Sequence, residues 1–278
     1  MNLESLRRNK VRVAVGVVVL LAVVGGAYLA FADQEPEPVE ISNAEELQQV
    51  REDLDGHYVL VDDIDLSHID NFEPIGSRSE PFTGRFDGNG YNISGLTIDR
   101  PDESPVGLFE SVGNKPQGVI KDVGLEDVDV TGNSTVGGLV GLNQGAIWRS
   151  YATGKTRGNE DRGGEAVGGL VGLNRGVIGG AYTNGEVSGG ESVGGLVGVN
   201  TEMVVISSYT TSNVTGEEEV GGLVGRGGDL TESYAAGNVT GNGSIRSLIG
   251  GHTDGAELDN SYWDINKIAQ GNSVGGVG

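Results

Sequence analysis

Carboxylates are the side chains here whose type and spacing best suit chemistry. Asp62, Asp63 and Asp65 lie together in VDDID, and Glu126, Asp127 and Asp129 form a second acidic run. Carboxylates gathered on a sheet face with a basic residue, or with calcium, can act on a uronic sugar. The plainer reading is a strand with its acids turned to solvent. As a calcium loop the first run fails: counted from Asp63, His68 stands at the position of the central Gly and Pro74 at that of the bidentate Glu.

Other chemistries are poorly served. The 278 residues include no Cys, which removes thiol nucleophiles, thiolate ligands and disulfides. His57, His68 and His252 are scattered, with no His-Glu-x-x-His run, no Gly-x-Ser-x-Gly elbow and no phosphate loop. No catalytic, metal-binding or cofactor-binding residue is therefore assigned, and a polysaccharide lyase or hydrolase is only a minor alternative. The net charge of −22 is opposite to that of a nucleic-acid footprint, so neither DNA nor RNA is expected as a partner.

The N-terminus bears on location. Residues 13–32, VAVGVVVLLAVVGGAYLAFA, carry no charge and follow Arg7, Arg8, Lys10 and Arg12. As a helix this run would span a bilayer core of roughly 30 Å, with residues 1–12 cytoplasmic and the remainder outside. A cleaved signal peptide ending near Ala30-Phe31-Ala32 is the alternative, but the run exceeds the usual apolar region of about 7 to 15 residues. Arg7-Arg8 is a weak twin-arginine signal, since no hydrophobic pair follows at once. Without residues 1–32 the balance is 14 basic against 39 acidic residues, a net of −25. Acids spread over a surface suit a salty exterior, where ions screen self-repulsion, and a halophilic source is expected.

Residues 33–40, DQEPEPVE, read as a semi-extended linker. Ser42 and Glu45 have capping-box spacing, and Leu47, Val50 and Leu54 recur at helical intervals, so a helix is expected over about 43–55, covering one end of the domain that begins there.

Most of that domain is a repeat. VGGLVGLN occurs at 136–143 and 167–174, VGGLVGVN at 193–200 and VGGLVGRG at 220–227, at intervals of 31, 26 and 27. Tyr151, Tyr182, Tyr209, Tyr234 and Tyr262 keep step, each preceded by Ser or Ala. Units this short, with no helical segment, exclude helical arrays and propeller blades and match one coil of a parallel β-solenoid. Residues 41–278 are therefore expected to form an all-β, single-stranded right-handed parallel β-helix of about eight rungs. The repeat positions are Gly138, Leu139 and Gly141; Gly169, Leu170 and Gly172; Gly195, Leu196 and Gly198; Gly222, Leu223 and Gly225. Strand alternation would set Val136, Gly138, Val140 and Leu142 against Gly137, Leu139, Gly141 and Asn143. Asn143, Asn174 and Asn200 could bond along the stack, and the tyrosines could form a stiffening ladder or a platform for sugars. Trp148 and Trp263 break the repeat and suit a local contact.

GGLVG followed by Asn and Ser-Tyr resembles the GLUG repeat of bacterial and archaeal surface proteins, including adhesin-like proteins and some secreted peptidases, within the pectate-lyase-like β-helix superfamily. YVLVDDIDL, PFTGRFDGNGYNISGLTI and the closing NSYWD resemble the segments around such repeats. The resemblance covers residues 41–278 and implies a β-helix without implying an activity. The fourth copy departs from it, with Arg226-Gly227 in place of Leu-Asn. The expected role is a membrane-anchored, extracytoplasmic adhesion or display module that meets surface glycans or envelope proteins. A carbohydrate-binding or carbohydrate-cleaving β-helix and a purely structural envelope component are the alternatives. Asn92, Asn133, Asn213, Asn238 and Asn242 begin Asn-x-Ser/Thr motifs and are candidate glycan acceptors.

Overall fold

Short valine-rich runs broken by Gly and Asn form short strands joined by tight corners, and here each repeat wraps once around a common core as a turn of a parallel β-solenoid. The computed structural model describes residues 37–114, 118–159, 165–252 and 257–264, together with the backbone of residues 19–23 and 26–30. Residues 1–38 and 39–278 are two units.

In the first unit, Val19–Val23 and Gly26–Ala30 pair as antiparallel strands. The helix expected over 13–32 is not what these ten residues form, and the rest of that span lies outside the described residues. Among the described residues no helix is long and apolar enough to cross a membrane. The run is dense in Val, whose branched Cβ restricts χ1 in a helix and suits a pleated strand.

The second unit begins with the strand Val39–Ile41 and the helix Ala44–Gln49, which runs on into a 3₁₀ turn, Val50–Glu52. The cap falls one residue later than the spacing of Ser42 and Glu45 implied. Asn43 accepts from the Glu46 amide at 3.0 Å, and the Glu46 carboxylate accepts from the Ser42 amide and hydroxyl. Leu47 and Val50 are fully buried in the solenoid core, at the end where Val39–Ile41 is the outermost strand of its sheet.

Four parallel sheets run along the solenoid. In the first, eight strands from His57–Leu60 to Leu258–Asp259 stack in register, joined by seven turns, against the expectation of about eight rungs. Its inward row is Tyr58, Phe86, Ile120, Ile147, Ile178, Val205 and Leu230, each over the next. All are buried, and each large apolar side chain so placed contributes roughly 1.5–3 kcal/mol. The second sheet carries the tyrosines; the third and fourth are built from the repeated phrase.

That phrase is two strands, and the single alternating strand expected from it does not form. Thr135–Gly137 belongs to the fourth sheet and Val140–Asn143 to the third, with Gly138-Leu139 between them. Val136, Leu139 and Val140 therefore all enter the core. The two strands lie so close that a Cβ on Gly137 would fall 2.7 Å from the Gly172 nitrogen of the next turn, and one on Gly172 would fall 2.7 Å from the Val136 nitrogen. The same approach recurs from Gly168 to Gly198 at 2.6 Å and from Gly221 to Gly250 at 2.6 Å. Glycine is retained because backbone packs directly on backbone there.

The corner between first and second sheets explains the Ser-Tyr pairs. Asp122, Arg149, Gly180, Ser207, Glu232 and Asn260 hold φ between 46° and 64° in successive turns. The amide after the corner is then met by a serine hydroxyl from the following turn: Val123 donates to Ser150, Ala181 to Ser208 and Ser208 to Ser233. Each serine is buried, and the hydroxyl satisfies an amide that would otherwise be orphaned.

Candidate functional site

Asp62, Asp63, Asp65, Glu126 and Asp129 each bond a backbone amide or a neighbouring side chain. Asp62 accepts from the Asp63 amide at 2.9 Å and Asp65 from the Ser67 amide at 2.8 Å, a bond that holds the Asp65 carboxyl below its ordinary range. Asp127 sits at a corner with φ 54°, and Asp129 pairs with Arg157. Asp63 and Glu126, far apart in sequence, converge on Asn92. Its amide donates to Asp63 at 2.8 Å, its side-chain nitrogen donates to Glu126 at 3.2 Å, and its side-chain oxygen accepts from the Tyr151 hydroxyl at 2.9 Å. Among the described residues no three His, Asp or Glu side chains gather as a metal site, and His57, His68 and His252 stay apart.

The tyrosines form one outward row. Tyr151 and Tyr182 stack at 4.6 Å and 9°, Tyr182 and Tyr209 at 5.0 Å and 7°, Tyr209 and Tyr234 at 4.9 Å and 3°. Tyr262 is in register with Tyr234 at the end of the row. Near-parallel stacking turns ring faces toward one another, leaving edges and hydroxyls outward, so the row offers little free face for a sugar. Burial, with Glu126 beside it, pushes the Tyr151 phenol well above its ordinary value. Tyr182 and Tyr234 are raised too, first by burial and then by neighbouring phenols.

Sequence reasoning missed a cleft. Where the first sheet turns into the second, Asp87, Tyr91, Lys121, Asp122, Arg149 and Tyr151 line an open space of about 590 Å³. Lys121 pairs with Asp87 at 2.6 Å, and Arg149 grips Asp122 through two bonds of 2.6 Å. The guanidinium holds the Asp122 carboxyl below its ordinary range. The signal was opposite charges one turn apart, Asp122 and Arg149 above all, and it is legible only once the turn length is known. Beside the cleft Trp148 is in register between Lys121 and Gly179 and is 37% exposed. A Cβ at Gly179 would meet the indole Cε3 at 2.5 Å, so the ring lies over the glycine. Trp263 instead packs against the core.

A second space, of about 300 Å³, lies among Arg51, Glu73, Arg100, Glu103 and Glu110 near the helical end. Burial raises the Glu110 carboxyl, although the Arg78 amide donates to it.

The candidate glycan acceptors separate by exposure. Asn213, Asn238 and Asn242 are exposed, and Asn238 donates to Asn213 at 3.0 Å along the outer face. Asn92 is held as described, and the Asn133 side-chain oxygen is buried. The repeat residues Gly138, Leu139, Gly141 and their counterparts build the corner of the solenoid and none lines the cleft.

No family model matches the chain. Over 139 residues, 46% of the chain, it is 34% identical to halomucin of Haloquadratum walsbyi, and over 120 residues, 40% of the chain, it is 38% identical to a provisionally named Gly-rich membrane protein of Evansella cellulosilytica. The matched stretches span 2% and 14% of those proteins. Among solved structures, a provisionally named immunoglobulin A1 protease of Bacteroides ovatus superposes with a TM-score of 0.69 at 21% identity, over 85% of this chain and 78% of that one. That likeness is one of fold.

Proposed function

We propose that this chain is a surface protein of the cell envelope whose β-solenoid acts as a display or adhesion module of the GLUG-repeat type, without chemical turnover. The observation that carries the reading is how its acids are used: Asp62, Asp63, Asp65 and Glu126 accept hydrogen bonds from amides and side chains, and Asp129 is paired with a cation. Carboxylates tied down in this way favour a rigid, hydrated, anionic exterior over proton transfer at these positions.

Similarity to halomucin and to a Gly-rich membrane protein supports the envelope location and the salt-tolerant exterior. The apolar run of residues 13–32 would supply the membrane contact. A right-handed coil is the sense that parallel crossovers favour. Partners of such a surface would be envelope glycans or proteins, and its net −25 disfavours nucleic acid.

The test is to incubate the full chain with envelope polysaccharides at high salt and follow retention and reducing-sugar release together. Retention without release is expected. Release that disappears in Asp63→Ala or Asp65→Ala would replace this reading with a polysaccharide-cleaving one.

A further inference from the structure

We propose that the cleft at the corner of the first and second sheets, together with the Trp148 indole beside it, is a binding site for an uncharged oligosaccharide. This rests on the surface-display reading and names the ligand class and the place.

Charge selects the ligand. Asp87, Lys121, Asp122 and Arg149 alternate in sign over three successive turns, each cation in contact with its carboxylate. An anionic ligand would meet Asp87, Asp122 and the nearby Glu126; a cationic one would meet Lys121 and Arg149. A neutral chain of hydroxyls meets no net repulsion and can bridge carboxylate acceptors and ammonium or guanidinium donors, which stay part-exposed and keep bonding capacity to spare.

The indole supplies the apolar half of the site. Along the outward row of the first sheet, Asp87, Lys121, Trp148, Gly179 and Ile206 follow one another, and the glycine is where the indole lies. The indole reaches over Gly179 in the next turn, outside the cleft lining, and Trp148 stays 37% exposed, so part of the ring is open to solvent. Sugar C–H groups, slightly positive, suit the negative face of such a ring. The tyrosine row cannot do this, because its faces are stacked on one another. Trp148 and Arg149 are adjacent in the chain, so platform and donors are set on one rigid turn.

The test uses the full chain in a detergent without a sugar headgroup. Trp148 and Trp263 are the only tryptophans, so in a Trp263→Phe background the emission reports on Trp148 alone. Neutral malto-, cello- and manno-hexaose are titrated, with hexagalacturonate as the anionic comparison. We expect a saturable change with at least one neutral hexaose, weakened roughly tenfold or more by Arg149→Gln and, by calorimetry, by Trp148→Ala. Both residues are exposed, and circular dichroism checks that each variant keeps its fold. No response to any neutral hexaose, a response to hexagalacturonate alone, or binding unchanged in both variants would overturn the proposal. Antibody access to the solenoid on intact cells tests the display reading separately, so failure of one is distinguishable from failure of the other.

Discussion

Asn143 donates its side-chain amide to Asn174 across 2.7 Å inside the solenoid, and Asn174 donates to Asn200 at 2.8 Å, all three fully buried. Each turn thereby closes on the next through a polar bond shielded from water. Asn174 also accepts from the Gly176 amide at 3.2 Å and donates to its carbonyl at 2.8 Å. Asn174→Ala should leave several of these groups unmet and cost about 3 kcal/mol, each buried orphan being worth about 1–3 kcal/mol. The denaturant midpoint reads this, and a loss below about 1 kcal/mol would mean that water replaces the side chain.

The ladder stops after Asn200, and restoring it should fail. Gly227 follows in register at φ 132°, and a Cβ there would lie 2.8 Å from the Asn200 carbonyl carbon. Gly227→Asn, which recreates the repeat motif, is therefore expected to destabilise by about 1–3 kcal/mol. A gain in thermal midpoint would contradict the steric account.

Close approach of the third and fourth sheets predicts a sharp contrast between two glycines. Gly172→Ala should cost at least about 2 kcal/mol, because the nearest atoms are backbone and cannot swing away. Gly228, whose added Cβ would meet nothing nearer than 3.7 Å, should accept Ala within about 0.5 kcal/mol. Equal losses at the two sites would overturn this.

Alkaline titration should expose the tyrosine row. Tyr182 and Tyr234 hold their protons more tightly folded than at the ordinary 10.0, and Tyr151 does so more strongly. A raised folded value contributes stability that is intact below the unfolded value and lost as pH climbs beyond it, so the unfolding free energy should decline above about pH 10. Tyr182→Phe should flatten that decline. Phenolate absorbance rising no later in the folded than in the unfolded protein would refute it.

At the acid end, Asp122 is held low by Arg149, so its contribution is present above the unfolded value of 3.8 and lost as pH falls through the lower folded one. Asp122→Asn should remove that part of the acid dependence, to be read from unfolding midpoints below pH 3.8. An unchanged acid limb would show that solvent screens the pair fully.

The repeat was legible because its constraint is local and recurs. Phrase length, the Ser-Tyr pairs and the Asn terminus imply a solenoid, since in-register stacking imposes the same chemistry on every turn. The helix near residue 43 was legible from its apolar spacing, but the cap moved by one residue because Asn43 competes with Ser42 for it. Hydropathy alone could not separate helix from strand over residues 13–32, since both satisfy an apolar run. The acidic runs were visible, their convergence on Asn92 was not.

By itself the amino-acid sequence determined the repeat: the coil length, the positions that recur as Asn and Tyr from turn to turn, and the excess of acid. Only the tertiary structure decided that the repeated phrase folds at Gly138-Leu139 into two strands, and that Asp87, Lys121, Asp122 and Arg149 meet beside Trp148. The physical reason is register. Which residue of one turn lies over which residue of the next depends on turn lengths that vary by several residues, and one residue of slip would turn each outward side chain inward.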